Sequence, residues 1–553
     1  MANKKKDKAV KYIFIVGGVM SGVGKGITCA SIGRILVGKG YNNVSAIKID
    51  PYVNIDAGTM NPIEHGEVFV TEDGDETDQD IGNYERFLNR NISRDNYMTT
   101  GRVYASVIER ERNLEYGGKC VQVVPDIPNE VIRRIKYAAQ KDKAEIMLIE
   151  IGGTVGEYEN LLFLEAARMM HLSEPKNVLF IMVAYLPVPS IIGEMKTKPT
   201  QHAVRALNSA GIQPDFIIAR SKVNIDAPRR RKLAVFCNIH ENDIIGAPDI
   251  DSIYDVPINF EKDNLGNRIL EKFNIRQKKK DLVDWKKMVK KIKTAKKIVN
   301  IGIVGKYFST GNFCLSDSYI SVIEAIKHAS AVNNRKPILH WINTEDVEKQ
   351  GVKILKNLDG IIVPQGWGSR GVEGKIKTIK YARENNVPYF GLCYGMQMAV
   401  IEFARNVLGF KQANSEEADP KTTCPVIHIM PEQKELLAKK HYGGTIRLGG
   451  WPCQIIPGTH LAKTYKKKFG VKTVISERHR HRYEFNNQYR EQYEKAGLKV
   501  CGTSPDGRVV EAIEITEHPF FIGTQFHPEY ISRPLDPHPL FVEFIRVCAK
   551  FKK

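Results

Sequence analysis

Short apolar runs without alternation recur along the chain and are separated by longer stretches with helical periodicity. In the first half these runs are residues 12–16, 44–49, 146–149, 177–186 and 216–219; in the second half they are 299–304, 337–342, 361–363 and 520–526. Unbroken runs of this length are typical of strands buried on both faces. Their alternation with helices predicts an α/β fold made of two doubly wound domains whose sheets are mainly parallel.

A lysine-rich segment divides the two halves. In residues 276–297 lysine pairs surround Leu282, Trp285, Val289 and Ile292, which recur at helical spacing. This pattern predicts an amphipathic linker helix with one docked face and one solvated basic face. We therefore expect a first domain at 1–275, a linker at 276–297 and a second domain at 298–553.

A glycine-rich loop follows the first predicted strand and opens a helix. The stretch 17–28 reads GGVMSGVGKGIT, with Lys25 between two glycines. Backbone N–H groups at such a helix start bind phosphates, and the lysine neutralises them. The strict P-loop spacing would need glycine at Val19 and Ser or Thr at Gly26. A phosphate-binding loop is favoured over a glycine-rich turn without a ligand.

Acidic and basic residues follow the other predicted strands of this half. Lys48 and Asp50 end the second strand, Glu150 ends the strand at 146–149, and residues 61–80 form an acidic run. Ligands bind at the carboxyl edge of open α/β sheets, and carboxylates beside phosphates suit Mg²⁺. We expect Mg²⁺ near this edge.

The second half contains a cysteine with the setting of a nucleophile. Cys393 lies in Gly391-Leu392-Cys393-Tyr394-Gly395, between a predicted strand and a predicted helix. Glycines on both sides permit the sharp turn of a nucleophile elbow, and the helix start favours a thiolate.

Far downstream, His527 and Glu529 follow an apolar strand and could supply a base and the group that orients it. His479 and His481 are rival bases, but neither has a carboxylate two residues on. From composition alone, the stretch 478–482 that contains them predicts a basic strand edge. The alternative is a structural cysteine in a tight turn.

Composition limits the class of protein. The chain has a net charge of +19, 42% hydrophobic and 26% charged residues, and nine cysteines. The hydrophobic and charged fractions are ordinary for a soluble globular protein, and the cysteine spacings indicate neither a disulfide framework nor a zinc site. The substantial positive charge indicates either solubility with loose attraction to polyanions or several phosphate-bearing ligands. No run is long enough for a membrane span, and no compact nucleic-acid module is evident. We expect a cytoplasmic protein that binds neither membrane nor nucleic acid.

The cysteine, histidine and glutamate resemble those of the class I glutamine amidotransferases. The whole chain, from about residue 10 to the C-terminus, resembles the CTP synthase family, through the segments 17–28, 48–52, 65–74, 150–156 and 196–202 in that order. The resemblance implies ATP-dependent amination of UTP to CTP, with ammonia released from glutamine and passed internally. It also implies GTP activation, CTP inhibition, and a homotetramer that assembles into filaments.

The resemblance further implies a role for individual residues. For catalysis it gives Cys393, His527 and Glu529; for ATP, Gly22, Val23, Gly24, Lys25, Gly26, Ile27, Lys48 and Asp80; and for Mg²⁺, Asp80 and Glu150. For UTP or inhibitory CTP it gives Ser21, Glu157, Tyr158, Glu159, Lys196, Thr197, Lys198, Pro199, Thr200, Gln201 and Lys232. For glutamine it gives Gly366, Tyr394, Gly395, Met396, Gln397, Glu417 and Arg482, with a lid at 443–449.

Two positions depart from the family's usual pattern. Gln365 stands where glycine is usual and Tyr394 where leucine is usual, on both sides of the expected oxyanion site at the N–H groups of Gly366 and Tyr394. Two alternative functions stay open at this stage: an amidotransferase with another acceptor, and a filament-forming homologue that no longer uses glutamine.

Overall fold

The computed structural model describes residues 9–278, 282–310, 313–314, 317–430, 433, 444–470 and 473–551. The chain packs into two compact units, Met1–Asp56 with Asn83–Val289 and Ala57–Gly82 with Lys290–Lys553. Residues 57–82 of the predicted first domain belong to the second unit, and the predicted linker 276–297 is divided after Val289.

The first unit contains a parallel sheet. Its seven strands among the described residues are, across the sheet, Tyr97–Thr99, Val44–Asp50, Ile146–Ile151, Lys11–Gly18, Val178–Tyr185, Phe216–Ser221 and Ile244–Pro248. Every neighbouring pair is parallel. The predicted parallel α/β fold is confirmed here. The strand before the glycine-rich loop is central, so the loop lies at the middle of the carboxyl edge.

Helices cover this sheet and complete its core. They are Lys25–Gly38, Thr100–Arg112, Val123–Lys141, Leu161–Ser173, Lys198–Ser209, Ala227–Cys237, Val256–Phe260 and Leu265–Lys272, with short 3-10 turns at Arg94–Asn96, Glu241–Asp243, Ile253–Asp255 and Glu261–Asp263. The helix Gln79–Leu88 contains the boundary between the two units. Burial of the strands on both faces explains why their sequences lack alternation.

The predicted amphipathic helix is present at Val283–Thr294. Trp285 is fully buried and donates a hydrogen bond from Nε1 to the Tyr254 carbonyl oxygen at 2.8 Å, while its ring contacts Phe87 and the Arg34 guanidinium. Lys279 and Lys280 of the predicted linker lie outside the described residues. The docked face therefore anchors this helix on the first unit.

The second unit contains a mixed sheet. Its nine strands among the described residues are, in order, Lys336–Asn343, Ile298–Gly305, Gly360–Val363, Tyr389–Leu392, Phe521–Thr524, Val510–Ile515, Leu498–Thr503, Arg447–Ile455 and Val474–His481. The first five are parallel, and the others pair antiparallel. Residues 504–509 join the strands Leu498–Thr503 and Val510–Ile515. Because a parallel crossover needs about a dozen residues, this short connection allows only an antiparallel pair.

Smaller elements complete the second unit. The helices are Pro62–His65, Ile320–Val332, Thr344–Gln350, Val372–Glu384, Tyr394–Asn406, His460–Phe469, Arg490–Lys495, Pro528–Ile531 and Pro539–Cys548, with 3-10 turns at Asp317–Tyr319, Val352–Leu355 and Asn487–Tyr489. The short strands are Phe69–Val70 with Glu76–Thr77, Ser309–Thr310 with Phe313–Cys314, and Ala413–Ser415 with Cys424–Ile429 and Tyr483–Phe485.

The hairpin at residues 69–77 packs in the second unit because its carboxylates pair with arginines there. Glu72 Oε2 lies 3.2 Å from Arg478 Nε, and Glu76 Oε1 lies 2.8 Å from Arg480 Nε. Both arginines are buried. Part of the acidic run that we associated with Mg²⁺ therefore supplies counter-charges to a strand that composition alone suggested was a basic edge.

Among the described residues, no helix is both long enough and apolar enough to traverse a lipid bilayer.

Candidate active sites

Cys393 lies at a sharp turn between the strand Tyr389–Leu392 and the helix Tyr394–Asn406. Its φ is +50°, a conformation that non-glycine residues seldom adopt. A Cβ at Gly391 would lie 2.8 Å from the Gly395 carbonyl carbon, and a Cβ at Gly395 would lie 2.0 Å from the Val363 carbonyl oxygen. Both glycines are thus required by close backbone approach, which is the geometry of a nucleophile elbow.

The structure brings Cys393 together with His527 and Glu529. His527 Nδ1 lies 2.7 Å from Glu529 Oε1, and both side chains are buried. Burial lowers the pKa of His527, but the Glu529 carboxylate and Cys393 raise it more, to about 10. The imidazolium form is therefore favoured beside a thiolate, as the activation of a cysteine nucleophile requires.

The rival histidines have other partners. His479 Nε2 lies 2.7 Å from Glu511 Oε2, and Arg447 donates a hydrogen bond to the other oxygen of Glu511 at 2.6 Å. His481 Nδ1 lies 3.1 Å from the Tyr483 carbonyl oxygen, and burial lowers its pKa well below the ordinary value. No sequence pattern indicates Glu511, because this carboxylate reaches His479 from another strand.

The loop 364–370 lies beside the elbow and is held by several groups. The Tyr394 hydroxyl donates a hydrogen bond to the Gly368 carbonyl oxygen at 2.6 Å, and the Gly368 N–H donates to Glu417 Oε1 at 2.7 Å. Gln365 donates from Nε2 to Glu67 Oε1 at 3.3 Å. Tyr394 therefore holds the loop 364–370, and Gln365 links this loop to residues 57–82.

A cavity of about 290 Å³ lies next to this loop. Its lining includes Glu417 and Arg482, together with Gly58, Glu76, Trp367 and Arg480. Burial raises the pKa of Glu417, whereas the N–H of Gly368 and the nearby lysines and Arg482 oppose that rise. A carboxylate and a guanidinium in one cavity can bind the ammonium and carboxylate groups of a free amino acid.

Two other residues predicted to bind glutamine have contacts within the protein. Gln397 donates a hydrogen bond to the Tyr483 carbonyl oxygen at 2.8 Å. Met396 is buried within the core.

The glycine-rich loop of the first unit has the conformation of a phosphate-binding turn. Gly24 has φ +91° and precedes the helix Lys25–Gly38, and Val19 has φ +81°. Glycine is absent at position 19, but the left-handed backbone that glycine would favour is present. Lys25 Nζ donates to the Gly153 carbonyl oxygen at 2.8 Å. Three other residues of this loop that are predicted to bind ATP lie around the start of the same helix: Val23, Gly26 and Ile27.

Lys48 and Glu150 meet where two neighbouring strands end. Lys48 Nζ lies 3.9 Å from Glu150 Oε1 and 3.3 Å from Asp50 Oδ1, and all three side chains are buried. The Tyr84 hydroxyl donates to the other oxygen of Glu150. Asp80 lies in the segment that packs with the second unit, where its N–H donates to Asp78 Oδ1 at 2.8 Å.

The predicted UTP residues occupy four places in the first unit. Thr197 precedes the helix Lys198–Ser209, so Lys198, Pro199, Thr200 and Gln201 form its first turn, and Lys196 pairs with Glu194 at 2.6 Å. Ser21 in the glycine-rich loop is exposed, as are Glu157, Tyr158, Glu159 and, on the helix Ala227–Cys237, Lys232. Glu157 Oε2 accepts a hydrogen bond from the Thr154 N–H at 2.7 Å.

A second cavity, of about 230 Å³, opens beside the glycine-rich loop and was not predicted. Gly24 and Ile27 form one wall, and Arg220, Asp249 and Phe260 contribute to the others. Arg220 and Asp249 pair at 3.1 Å. These residues come from separate strands and helices without a shared motif, so only the folded chain brings them together.

Comparisons with known proteins agree along the whole chain. A family model described as CTP synthase N-terminus matches residues 11–275, and one described as glutamine amidotransferase class-I matches residues 314–547. The CTP synthases of Carboxydothermus hydrogenoformans and Pyrococcus furiosus are each 50% identical to this chain. These alignments cover 98% of this chain and 99% and 98% of the relatives. The glutaminase domain of Trypanosoma brucei CTPS with bound acivicin is 37% identical over 46% of this chain and 95% of that chain, with a TM-score of 0.42.

The fold and the two sites define a ligase that joins a synthetase half to a glutamine amidotransferase half. Identity of this level over nearly the full length settles the family. The chain belongs to the CTP synthase family.

Proposed function

We propose that this chain converts UTP to CTP with ATP, using ammonia that it releases from glutamine at Cys393. The observation that carries the glutaminase part is the buried elbow cysteine beside a histidine that is paired with a carboxylate at 2.7 Å. The amination part rests on the full-length relatives named CTP synthase.

At the glutaminase site, His527 holds the proton of the Cys393 thiol, and the thiolate attacks the side-chain amide carbon of glutamine. The N–H groups of Gly366 and Tyr394 stabilise the negative oxygen of the tetrahedral intermediate. His527 then returns its proton to the departing nitrogen, which leaves ammonia and a thioester. Water, deprotonated by His527, hydrolyses the thioester to glutamate and restores the thiol. Glu417 and Arg482 would bind the amino and carboxylate groups of glutamine.

At the synthetase site, ATP would phosphorylate O4 of UTP, and ammonia would then displace phosphate from C4 to give CTP. Lys25 and Lys48 would stabilise charge on the transferred phosphoryl group. The cavity of about 230 Å³ beside Gly24, with apolar walls and a few polar groups, has the character of a site for the base of ATP. The stretch 196–201 at a helix start suits the UTP phosphates, and Ser21 and Lys232 are retained as further UTP contacts. Residues 157–159 would receive the base of inhibitory CTP.

We retain Asp80 and Glu150 as the Mg²⁺ ligands that the resemblance to the family implies. Among the described residues, no group of three or more His, Cys, Asp or Glu side chains is placed to hold a metal alone. This fits Mg²⁺, which binds to one or two carboxylates and completes its shell with substrate phosphates and water. When bound, Mg²⁺ would neutralise charge on those phosphates.

Regulation, assembly and location follow from the resemblance to the family. We expect activation by GTP, inhibition by CTP, a homotetramer that forms filaments, and a cytoplasmic location. We also retain the functional division into residues 1–275, 276–297 and 298–553. Within the first part, residues 57–82 would serve the glutaminase site.

The deciding experiment measures CTP formation from UTP, ATP and Mg²⁺, with glutamine in one reaction and ammonium at alkaline pH in the other. The wild type should use both nitrogen sources, whereas Cys393→Ala should use ammonium alone. If the wild type used only ammonium, the glutaminase proposal would be wrong. Glutamine hydrolysis without CTP from either source would overturn the UTP assignment.

A further inference from the structure

Lys375 is a buried cation beside the glutaminase site that none of the proposed steps uses. It lies on the helix Val372–Glu384 with 0% of its surface exposed, and its Nζ has no hydrogen-bond partner among the described residues. Nζ lies 4.7 Å from the centre of the Tyr394 ring. A Cβ built on Gly366 would lie 3.2 Å from the same atom. The amine is therefore adjacent to both residues whose N–H groups form the oxyanion site.

Packing alone does not account for a lysine at this position. Burial of an amine without a hydrogen-bond acceptor is unfavourable, and an apolar side chain of similar length would fill the same space at a lower cost in free energy. A cation–π contact with Tyr394 offsets only part of that cost.

The neighbouring charges show what Lys375 faces. Lys306 is a second cation beside Tyr394, with its Nζ 5.2 Å from the ring centre, but that Nζ donates to the carbonyl oxygens of Gly368 and Arg370, each at 3.2 Å. Burial and the charges of Lys306 and Arg370 lower the pKa of Lys375 well below its ordinary value, while negative charge on Cys393 and Glu417 opposes that shift. Glu417 accepts a hydrogen bond from the Gly368 N–H instead. Lys375 Nζ thus lies beside Gly366 and Tyr394 without an acceptor among the described residues, and negative charge at the reacting site is what favours its ammonium form.

We propose that Lys375 is a positioning residue of the glutaminase, whose ammonium group supplies the counter-charge for the oxyanion that develops beside Gly366 and Tyr394. This inference rests on the proposed function of Cys393. Because the amine is adjacent to the two residues that carry the backbone donors, it acts on the reacting oxygen through the field that it creates in a buried site. The Tyr394 ring holds Nζ in place, and the Tyr394 hydroxyl fixes the loop that carries Gly366.

The test uses Lys375→Met, which removes the charge of the side chain and keeps a similar volume. Lys377→Met, on the exposed face of the same helix, is the matched control. We expect Lys375→Met to lower kcat for glutamine hydrolysis by about 10- to 100-fold, less than the loss of a direct oxyanion donor, with KM for glutamine nearly unchanged. CTP formation from ammonium should stay at the wild-type rate, and Tm should be equal or higher because an unpaired buried amine is gone.

Other results would overturn the proposal. A wild-type kcat in Lys375→Met would show that the charge is not used. A lower Tm with parallel losses for glutamine and ammonium would show a merely structural role. Lys375→Gln, which keeps a polar head without charge, is measured in parallel and should show the same selective loss of kcat. Failure of the proposed function itself is a separate result, since Cys393→Ala would then retain glutamine hydrolysis.

Discussion

The two candidate sites are built on the same local plan but differ in how much of the chemistry the chain supplies by itself. Each follows a buried parallel strand with a turn in which a non-glycine residue has positive φ, Val19 at +81° and Cys393 at +50°, and each turn opens a helix. At the elbow, the reacting groups are already paired and buried.

The glycine-rich edge is open by comparison. Ser21, Gly22 and residues 157–159 are exposed, and Tyr158 is 91% exposed. A site for highly charged nucleotides gains most of its order from the ligand, whereas a thiolate needs a preformed and water-poor setting. Substitutions at the elbow should therefore alter the rate of one reaction, and substitutions at the open edge should alter every reaction that consumes ATP.

The largest effect is expected for Glu529→Gln. Without the carboxylate, His527 loses its orientation and most of the support for its charge, so glutamine hydrolysis should fall by about 10³- to 10⁴-fold. CTP formation from ammonium should persist. Comparable activity of the variant with glutamine would contradict the proposed role.

The ion pair between His527 and Glu529 predicts that the stability of the fold depends on pH. The pKa of His527 is raised in the folded protein to about 10, so its pairing stabilises the fold fully below about pH 6.5 and is lost as pH rises through 10. The difference in Tm between the wild type and Glu529→Gln should shrink over that range. A difference that grew with pH would have the wrong sign.

Lys25→Met should affect the open edge alone. Loss of this charge beside the phosphates should lower CTP formation by about 10²- to 10³-fold with glutamine and with ammonium alike. Tm should change little because Lys25 is only half-buried. Lys136→Met, at an exposed ion pair of the same unit, serves as the control. A loss confined to glutamine would contradict the division between the two sites.

Arg480→Met tests the hairpin that joins the second unit. It leaves Glu76 buried without its partner and should lower the free energy of unfolding by about 3 kcal/mol. Removing both side chains, as Arg480→Met with Glu76→Met, should recover part of the loss. Arg508→Met, which breaks an exposed pair with Asp506, should cost less than about 1 kcal/mol.

The smallest effect is expected for Val19→Gly. Relief of the left-handed strain should exceed the entropy that glycine adds to the unfolded chain, giving a gain of about 1 kcal/mol in the free energy of unfolding. Val53→Gly, at a loop position without positive φ, should lower stability instead. Equal losses in both variants would mean that Val19 is not strained.

The sequence predicted the local features well, because strand, turn and helix are encoded in neighbouring residues. The elbow at Cys393, the loop at 17–28 and the helix around Trp285 all follow from spacing. Contacts between distant segments were missed for the opposite reason: nothing local in Glu511, Lys375 or Glu76 shows which residue each will meet. The basic pattern of Arg478 and Arg480 was misread as surface, since their buried counter-charges lie about 400 residues away.

Residues 57–82 form part of the wall of the cavity at Glu417, so the gene cannot be divided simply between the two family matches. Gly58 and Glu76 line that cavity although they precede the second family match by more than 200 residues. A truncated clone that begins at residue 298 would encode a glutaminase with one side of its binding cavity missing and without Glu72 and Glu76, the carboxylates that pair with Arg478 and Arg480. A faithful excised version would need residues 57–82 fused back by a linker.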